Sequence, residues 1–269
     1  MNIDDVRDTL FGLFHRHFVV LHVTFTKPGG EVKDASYSTF VMSVGDQWFL
    51  VTAGHCIDEL VEAVKQGYRI GCELFDNLTA GSTYRGPIPF EYDPAEAVSL
   101  DKEGVDFGIF RLGYMYRRLL AANGVEPLDE RGWRMRPENY NPFKYLLMGI
   151  PANLTRRYGQ AIQYMPSLYP VEPLPERPDY IEEADVPTFY GKVQLDQGES
   201  SIVGTSGGPI FSFQEVDGKL KYWLHALQSS WYPSERVIVA PLIQALGYLL
   251  ELVQKRIAEQ EMADAPDAG

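Results

Sequence analysis

Residues 204–209, with the sequence GTSGGP, place a serine between small residues. Small neighbours let the backbone turn sharply and leave amide N–H groups bare beside the hydroxyl. A polar turn between two strands needs only the sharp bend. An acyl-transfer site needs both the exposed hydroxyl and amides that can hold an oxyanion. Taken alone, the stretch fits either a glycine turn or a nucleophile at Ser206.

A serine hydroxyl is a weak nucleophile at neutral pH and needs an adjacent base, which a third group must orient. His55 is the candidate base, because it directly follows the apolar run FLVTAG and so lies where a predicted buried strand ends. A histidine satisfied inside the core is the alternative for this residue. The other histidines lie in the N-terminal segment (His15, His17 and His22) or inside an apolar strand (His225), where a hydrogen-bonded core imidazole is the ordinary role.

Asp106 is the candidate for the third group. It opens the short apolar stretch DFGIFRL, so that buried backbone can hold its side chain. Asp101 and Glu103 lie nearby, but their surrounding run LDKEGV is typical of a solvated segment. Among the carboxylates of the chain, Asp106 is therefore preferred.

Together, the stretches FLVTAGHC, VDFGIFRL and GTSGGPIF resemble the histidine, aspartate and serine motifs of the trypsin/chymotrypsin-like serine peptidases, in the same order and at similar intervals. The resemblance extends outward. STFVMSVGDQWFLVTAGHC is similar to the hairpin that leads to the family's histidine, and YLLMGIP is similar to a second-barrel strand of its bacterial branch. A C-terminal helix is also a feature of the family.

The resemblance implies an all-β fold of two six-stranded β-barrels followed by a C-terminal α-helix, with the active site between the barrels. His55 and Asp106 would come from the first barrel and Ser206 from the second. Ser206 would attack a peptide carbonyl, His55 would carry the proton, and Asp106 would hold the imidazole. The backbone amides of Gly204 and Ser206 would form the oxyanion hole.

The resemblance also implies residues for the substrate pocket. Ser200 stands six residues before the serine, where members of the family that cut after Lys or Arg carry aspartate. A pocket with a neutral floor is therefore expected, although Glu199 is adjacent and a shift of one residue would reverse this expectation. Ser229, late in the stretch LHALQSS, is expected beside the triad, at the pocket and within reach of Asp106.

Two departures from the family pattern bear on activation and redox state. Thr205 stands where animal members carry an aspartate that pairs with a newly cut N-terminus, so activation by N-terminal insertion is not expected. Cys56 matches a half-cystine of the family, but no cysteine near Phe40 and Val41 supplies its mate.

The elements that must position these residues are mostly strands. Runs rich in β-branched and aromatic residues predict strands at HFVVLHVTF, YSTFVMSV, QWFLVTAG, GYRIGCELF and DFGIFRL, and later at FKYLLMGIP, TFYGKVQLD, GPIFSFQ and KYWLHALQSS. Many short strands closed by one helix predict two packed barrels or a large sandwich. The resemblance implies the barrels, in one peptidase domain over residues 1–269, with the first barrel at 17–140 and the second at 141–238.

Two segments differ from this strand pattern. Residues 163–187 contain six prolines and mixed charge, which predicts a surface excursion without regular structure. Apolar residues at helical spacing predict an amphipathic helix over 239–261, followed by a polar tail.

The composition limits the class of protein. A net charge of −13 argues against a nucleic-acid partner or an anionic membrane surface. Acidic residues precede a first apolar run that His15 and Arg16 interrupt, which is unlike a secretory signal. Cys56 and Cys72 are too few for a disulfide scaffold, and we expect reduced thiols in a cytoplasmic protein, with a bridge between them as the alternative. No metal and no cofactor are expected.

The resemblance implies a serine endopeptidase that acts on protein or peptide substrates, and the cysteine usage favours an intracellular one. We expect it to be regulated, for example by a partner protein. The alternative is a catalytically silent module that binds partner proteins or peptides. Hydrolysis of esters is the third option, but GTSGG is not the G-x-S-x-G elbow of the α/β-hydrolases, and the order of the candidate residues also differs from theirs.

Overall fold

The computed structural model describes residues 3–76, 86–102, 105–158 and 161–263. In this part of the chain the first half contributes strands β1 (Phe18–Thr26), β2 (Val32–Val44), β3 (Gln47–Thr52), β4 (Arg69–Phe75), β5 (Ile88–Phe90), β6 (Ala97–Lys102) and β7 (Val105–Leu112). The second half contributes β8 (Lys144–Gly149), β9 (Arg156–Tyr158), β10 (Ala161–Gln163), β11 (Ser167–Pro173), β12 (Thr188–Val193), β13 (Pro209–Val216), β14 (Lys219–Leu227), β15 (Ser230–Tyr232) and β16 (Val237–Pro241). The helices are α1 (Ile3–His15), α2 (Gly54–Lys65), α3 (Tyr114–Ala122), α4 (Glu130–Trp133) and α5 (Ile243–Ala263).

The first half folds into a seven-stranded antiparallel sheet with the strand order β5-β4-β1-β2-β3-β7-β6. Its central strands are rich in β-branched and aromatic residues, which suit a pleated surface that is buried. A tight turn joins β2 to β3, where Val44 pairs with Gln47 and Gly45 has a φ of 53°. Glycine adopts this left-handed conformation at little cost, so the hairpin forms where the sequence predicts it.

The second half forms another seven-stranded antiparallel sheet, with the order β14-β13-β8-β11-β12-β16-β15, while β9 and β10 form a separate hairpin. An isolated bridge between Ala226 and Leu242 draws β14 toward the chain that follows β16, so this sheet curls on itself. The expected fold class is confirmed: two antiparallel β halves are followed by a C-terminal helix. Each sheet has seven strands, rather than the six expected.

The predicted proline-rich excursion at 163–187 is wrong in its first part, because β11 lies there, between β8 and β12. Pro170 is tolerated inside this strand for a geometric reason. Its carbonyl oxygen accepts a hydrogen bond from the Gln194 amide at 2.9 Å, so its nitrogen also faces the β12 side. The ladder with β12 begins only at the next pair, Val171 with Val193, and Pro170 therefore costs the sheet no bond to β8.

The terminal helix begins at Ile243 rather than at Val239, because residues 237–241 extend the sheet as β16. The end of the predicted polar tail, from residue 264 onward, lies outside the described residues. In the part of the chain that the structure describes, no helix combines the length and the apolar character that crossing a membrane would require. Both cysteines are free and buried.

The main core runs continuously through both halves of the molecule. Fully buried residues of the first sheet, such as Phe18 and Phe40, belong to the same apolar cluster as Phe211 in the second sheet and Leu246 in α5. A smaller cluster, which includes Val193 and Ile238, fills the second sheet alone. The two sheets are therefore packed around one shared core, and the candidate residues lie where they meet.

Candidate active site

His55 lies in the first turn of α2, directly after β3, and Asp106 is the second residue of β7. The backbone amide of His55 donates to Asp106 Oδ1 at 2.9 Å, and His55 Nδ1 lies 2.8 Å from Asp106 Oδ2. Gly54 makes this approach possible, because a Cβ at that position would lie only 2.8 Å from the carbonyl oxygen of Leu100 and 3.1 Å from Asp106 Oδ1. The carboxylate thus fixes both the start of the helix and the orientation of the ring.

Ser229 contacts the same carboxylate oxygen as the His55 ring. Its hydroxyl donates to Asp106 Oδ2 at 2.6 Å. Burial raises the pKa of Asp106, but hydrogen bonds from His55 and Ser229 outweigh burial, so the pKa lies below its ordinary value. The hydrogen bond to Asp106, followed by one to Cys56, raises the pKa of His55 above 6.5 against the opposing effect of burial. An ionised Asp106 and an imidazole of increased basicity result.

Ser206 is half-buried, and its hydroxyl is not hydrogen-bonded to the His55 ring. It donates to the carbonyl oxygen of Ser229 at 3.4 Å, rather than to His55. Ser229 therefore contacts both Ser206, through its carbonyl, and Asp106, through its hydroxyl. Transfer of the proton to His55 requires the Ser206 hydroxyl to exchange the carbonyl for the imidazole.

The amides of Gly204 and Ser206 are available for an oxyanion. Among the described residues, neither N–H donates to a protein group, whereas the amides of Thr205 and Gly207 donate to Ile202 and Gln228. In a trans peptide the C=O and N–H point in opposite directions. The carbonyl before Gly204 accepts from the Ala152 amide, and the carbonyl before Ser206 accepts from the Gly208 amide, each at 2.8 Å. The two free N–H groups consequently point away from these internal contacts.

Thr205 anchors the turn between these two amides. It is fully buried, its hydroxyl donates to the Ile202 carbonyl at 2.9 Å, and the same hydroxyl lies 3.2 Å from Gln228 Oε1. The backbone of Gln228 adds two bonds, since it accepts from Gly207 and donates to Gly208. Gln228 was not predicted from the sequence. The feature that could have indicated it is a polar residue at the end of an apolar strand, directly before Ser229.

The predicted pocket residue Ser200 is exposed, in the loop that leads to the serine. Its neighbour Glu199 is only partly exposed, and its Oε2 is buried without a hydrogen-bond partner among the described residues. The neutral floor assigned to Ser200 stays a prediction.

Cavities elsewhere on the molecule do not include these residues. One of about 670 Å³ is lined by His17 and Trp223, and another of about 670 Å³ by Tyr92 and Arg117; neither is lined by His55, Asp106 or Ser206. The described residues hold no group of three or more His, Cys, Asp or Glu side chains arranged to bind a metal ion.

No known family pattern and no curated protein matches the sequence. Solved structures of proteases do match the fold. The active form of the Rv3671c protease from M. tuberculosis is 16% identical, covering 91% of this chain and 85% of that one, with a TM-score of 0.47. The protease Anisep from Arthrobacter nicotinovorans is also 16% identical, covering 84% of this chain and 90% of that one, with a TM-score of 0.41.

Proposed function

We propose that this chain is a serine endopeptidase in which Ser206 is the nucleophile, His55 the general base and Asp106 the group that orients the base. The observation that carries the proposal is the pair of unpaired amides at Gly204 and Ser206, in a turn that Ser229 links to the His55–Asp106 pair. A glycine turn needs no such amides, whereas an acyl-transfer site does.

In the proposed reaction, His55 takes the proton of Ser206 as Oγ attacks the scissile carbonyl carbon, and a tetrahedral intermediate forms. The negative oxygen of that intermediate is held by the two free amides. His55 then gives the proton to the leaving amine, and the acyl-enzyme is hydrolysed by water that His55 activates in turn. Asp106 stabilises the imidazolium throughout and, through its bond to Nδ1, leaves Nε2 free to face the serine.

A second function is favoured by one contact. Because the resting Ser206 hydroxyl is bonded to the Ser229 carbonyl, the chain can also be read as a silent module that binds peptides or partner proteins without cleaving them. The same contact offers a means of regulation in an active enzyme, since a substrate or a partner protein that displaces the hydroxyl from the carbonyl would bring it to His55.

Reaction with a fluorophosphonate probe distinguishes the two functions. We expect the natural chain to be labelled on Ser206 and Ser206→Ala to be unlabelled, with unchanged circular dichroism. Ser234→Ala, which alters an exposed serine in the β15–β16 turn, is the matched control and should be labelled normally. A peptide library analysed by mass spectrometry then identifies the bonds that are cleaved. Peptide binding without labelling or cleavage would favour the silent module.

A further inference from the structure

Ser38 joins the first sheet to the loop that carries the free amides. It lies on β2 and is fully buried. Its hydroxyl accepts a hydrogen bond from the Ile150 amide at 2.9 Å and donates to the carbonyl oxygen of Gly204 at 3.1 Å. A single side chain of the first half therefore contacts both the chain that follows β8 and the turn before Ser206.

The surroundings of this contact leave the turn little room. Thr52 donates to the Ser38 carbonyl at 3.1 Å, so the middle of β2 and the end of β3 are linked beside the turn. Gly207 has a φ of 85°, and a Cβ there would lie 2.2 Å from Thr52 Oγ1 and 2.5 Å from the Ser38 carbonyl oxygen. The turn is packed directly against the first sheet.

Gly204 is the residue whose conformation this packing decides. Its φ is 100°, and a Cβ there would lie 2.8 Å from both the Ala152 nitrogen and the Ile150 carbonyl oxygen, so only glycine fits. Glycine imposes few limits on its own dihedral angles, and neighbouring groups must hold it. The peptide before Gly204 is held by the Ala152 amide. The peptide after it is held on its carbonyl side by Ser38 and on its amide side by the bond from Thr205 to Ile202.

We infer that Ser38 is a positioning residue for the oxyanion hole, acting through the carbonyl of Gly204. The inference rests on the proposed function, in which the Gly204 amide stabilises the oxyanion. Removal of the Ser38 hydroxyl releases the Gly204 carbonyl and leaves the buried Ile150 amide without its acceptor. The Gly204 N–H remains in the peptide that the Ala152 amide holds, but the following peptide then keeps only the bond from the Thr205 amide to Ile202, so the angle between the Gly204 and Ser206 N–H groups is fixed less tightly. The nucleophile, the base and the substrate-binding surfaces stay in place. Because Ser38 belongs to the first sheet, the hole is complete only when the two halves are docked.

The test compares Ser38→Ala with Thr39→Val. Thr39 is the adjacent buried residue of β2, and its hydroxyl donates at 2.6 Å to Val19 within the first sheet, away from the turn. Ser38→Ala loses two buried hydrogen bonds and Thr39→Val loses one, so both unfolding midpoints should fall, that of Ser38→Ala further. For Ser38→Ala we expect kcat to fall about 10- to 100-fold, somewhat less than the loss of a whole oxyanion donor, with KM within about twofold. The inhibition constant of a peptide aldehyde, whose adduct places an oxyanion in the hole, should rise by the same factor.

A kcat for Ser38→Ala no lower than that of Thr39→Val would overturn the inference, as would a loss of kcat without weaker aldehyde binding. If Ser38→Ala does not fold, Ser38→Cys tests the same contact, because a thiol is a much weaker hydrogen-bond donor and acceptor than a hydroxyl. The Gly204 amide resonance in NMR spectra provides a readout independent of activity. This resonance should shift in Ser38→Ala and stay unchanged in Thr39→Val, even if the fluorophosphonate does not label the natural chain. An unchanged resonance in Ser38→Ala would overturn the inference. Absence of labelling would overturn only the proposed function.

Discussion

At the scale of single residues, Asp106 determines the chemistry of the candidate site. It receives three hydrogen bonds, from the backbone and ring of His55 and from the hydroxyl of Ser229. Each bond favours the ionised carboxylate, and the ionised carboxylate in turn favours a protonated His55. The pair therefore has a definite dependence on pH.

The pKa of His55 is raised above 6.5 mainly by Asp106, and a general base must be unprotonated. We therefore expect kcat/KM to rise with pH through a limb that lies above 6.5. Asp106→Asn should move this limb to lower pH and reduce kcat by about 10⁴-fold, because the imidazole loses its orientation and its stabilised cation. Asp101→Asn, at the position paired with Asp106 in the β6–β7 ladder, is the control and should retain the natural profile.

The His55–Asp106 pair should also make the free energy of unfolding depend on pH, in the direction that follows from the raised pKa of His55. Its contribution is fully present below the unfolded-state pKa of histidine and is lost as the pH rises through the higher folded-state pKa. Urea unfolding of the natural chain and of Asp106→Asn at several pH values checks this sign. A natural limb at or below 6.5, or a difference in stability that grows at alkaline pH, would contradict this account of the pair.

At the scale of elements, the sequence was most informative where apolar residues follow a simple period. The sequence predicted the strand that carries Asp106 and the hairpin before His55, because their runs of β-branched and aromatic residues end at clear turns. β11 was missed because the suitability of Pro170 depends on which neighbouring strand its nitrogen faces, which is a property of the assembled sheet. The Gly-rich turn was predicted from its composition. Its contacts were not, because Thr205 with Gln228 and Gly204 with Ser38 are pairs of residues distant in the chain, and no local sequence pattern indicates them.

The Thr205 turn gives a prediction at this scale. In the animal enzymes that the sequence resembles, an aspartate at this position pairs with the newly cut N-terminus. Here the buried Thr205 hydroxyl instead bonds to Ile202 and Gln228. Thr205→Val keeps the shape but removes that hydroxyl, and we expect the free energy of unfolding to fall by about 1–3 kcal/mol. Thr205→Ser, which keeps the hydroxyl, should lose less. Urea unfolding measures both variants, and equal stability of Thr205→Val and the natural chain would show that the turn is held by other contacts.

At the scale of the whole molecule, each terminal helix also contacts the half formed by the opposite end of the chain. α1 precedes the first sheet, yet its Phe14 stacks on Phe211 of the second sheet, with ring centroids 4.3 Å apart. α5 follows the second sheet, yet Gln254 donates to the carbonyl of Val44 at the end of β2. A Cβ on Gly247 of α5 would lie 2.4 Å from the Trp133 ring, so this helix packs closely against α4. Because of these contacts, the two halves should unfold together. This matters because the candidate site takes residues from both halves.

Phe14→Ala tests this cooperativity. Phe14 is fully buried and belongs to the cluster that contains both Phe18 and Phe211, so its removal should lower the free energy of unfolding by about 3–5 kcal/mol. If the halves unfold together, hydrogen exchange measured by mass spectrometry should accelerate by a similar factor in the slowest amides of β1 and of β13, because exchange of both then requires the same global opening. Phe143→Ala, which truncates a side chain that is 68% exposed, is the control and should change neither strand. Acceleration confined to β13 would show that α1 stabilises only the second sheet, and that the first sheet with His55 and Asp106 is stable without it.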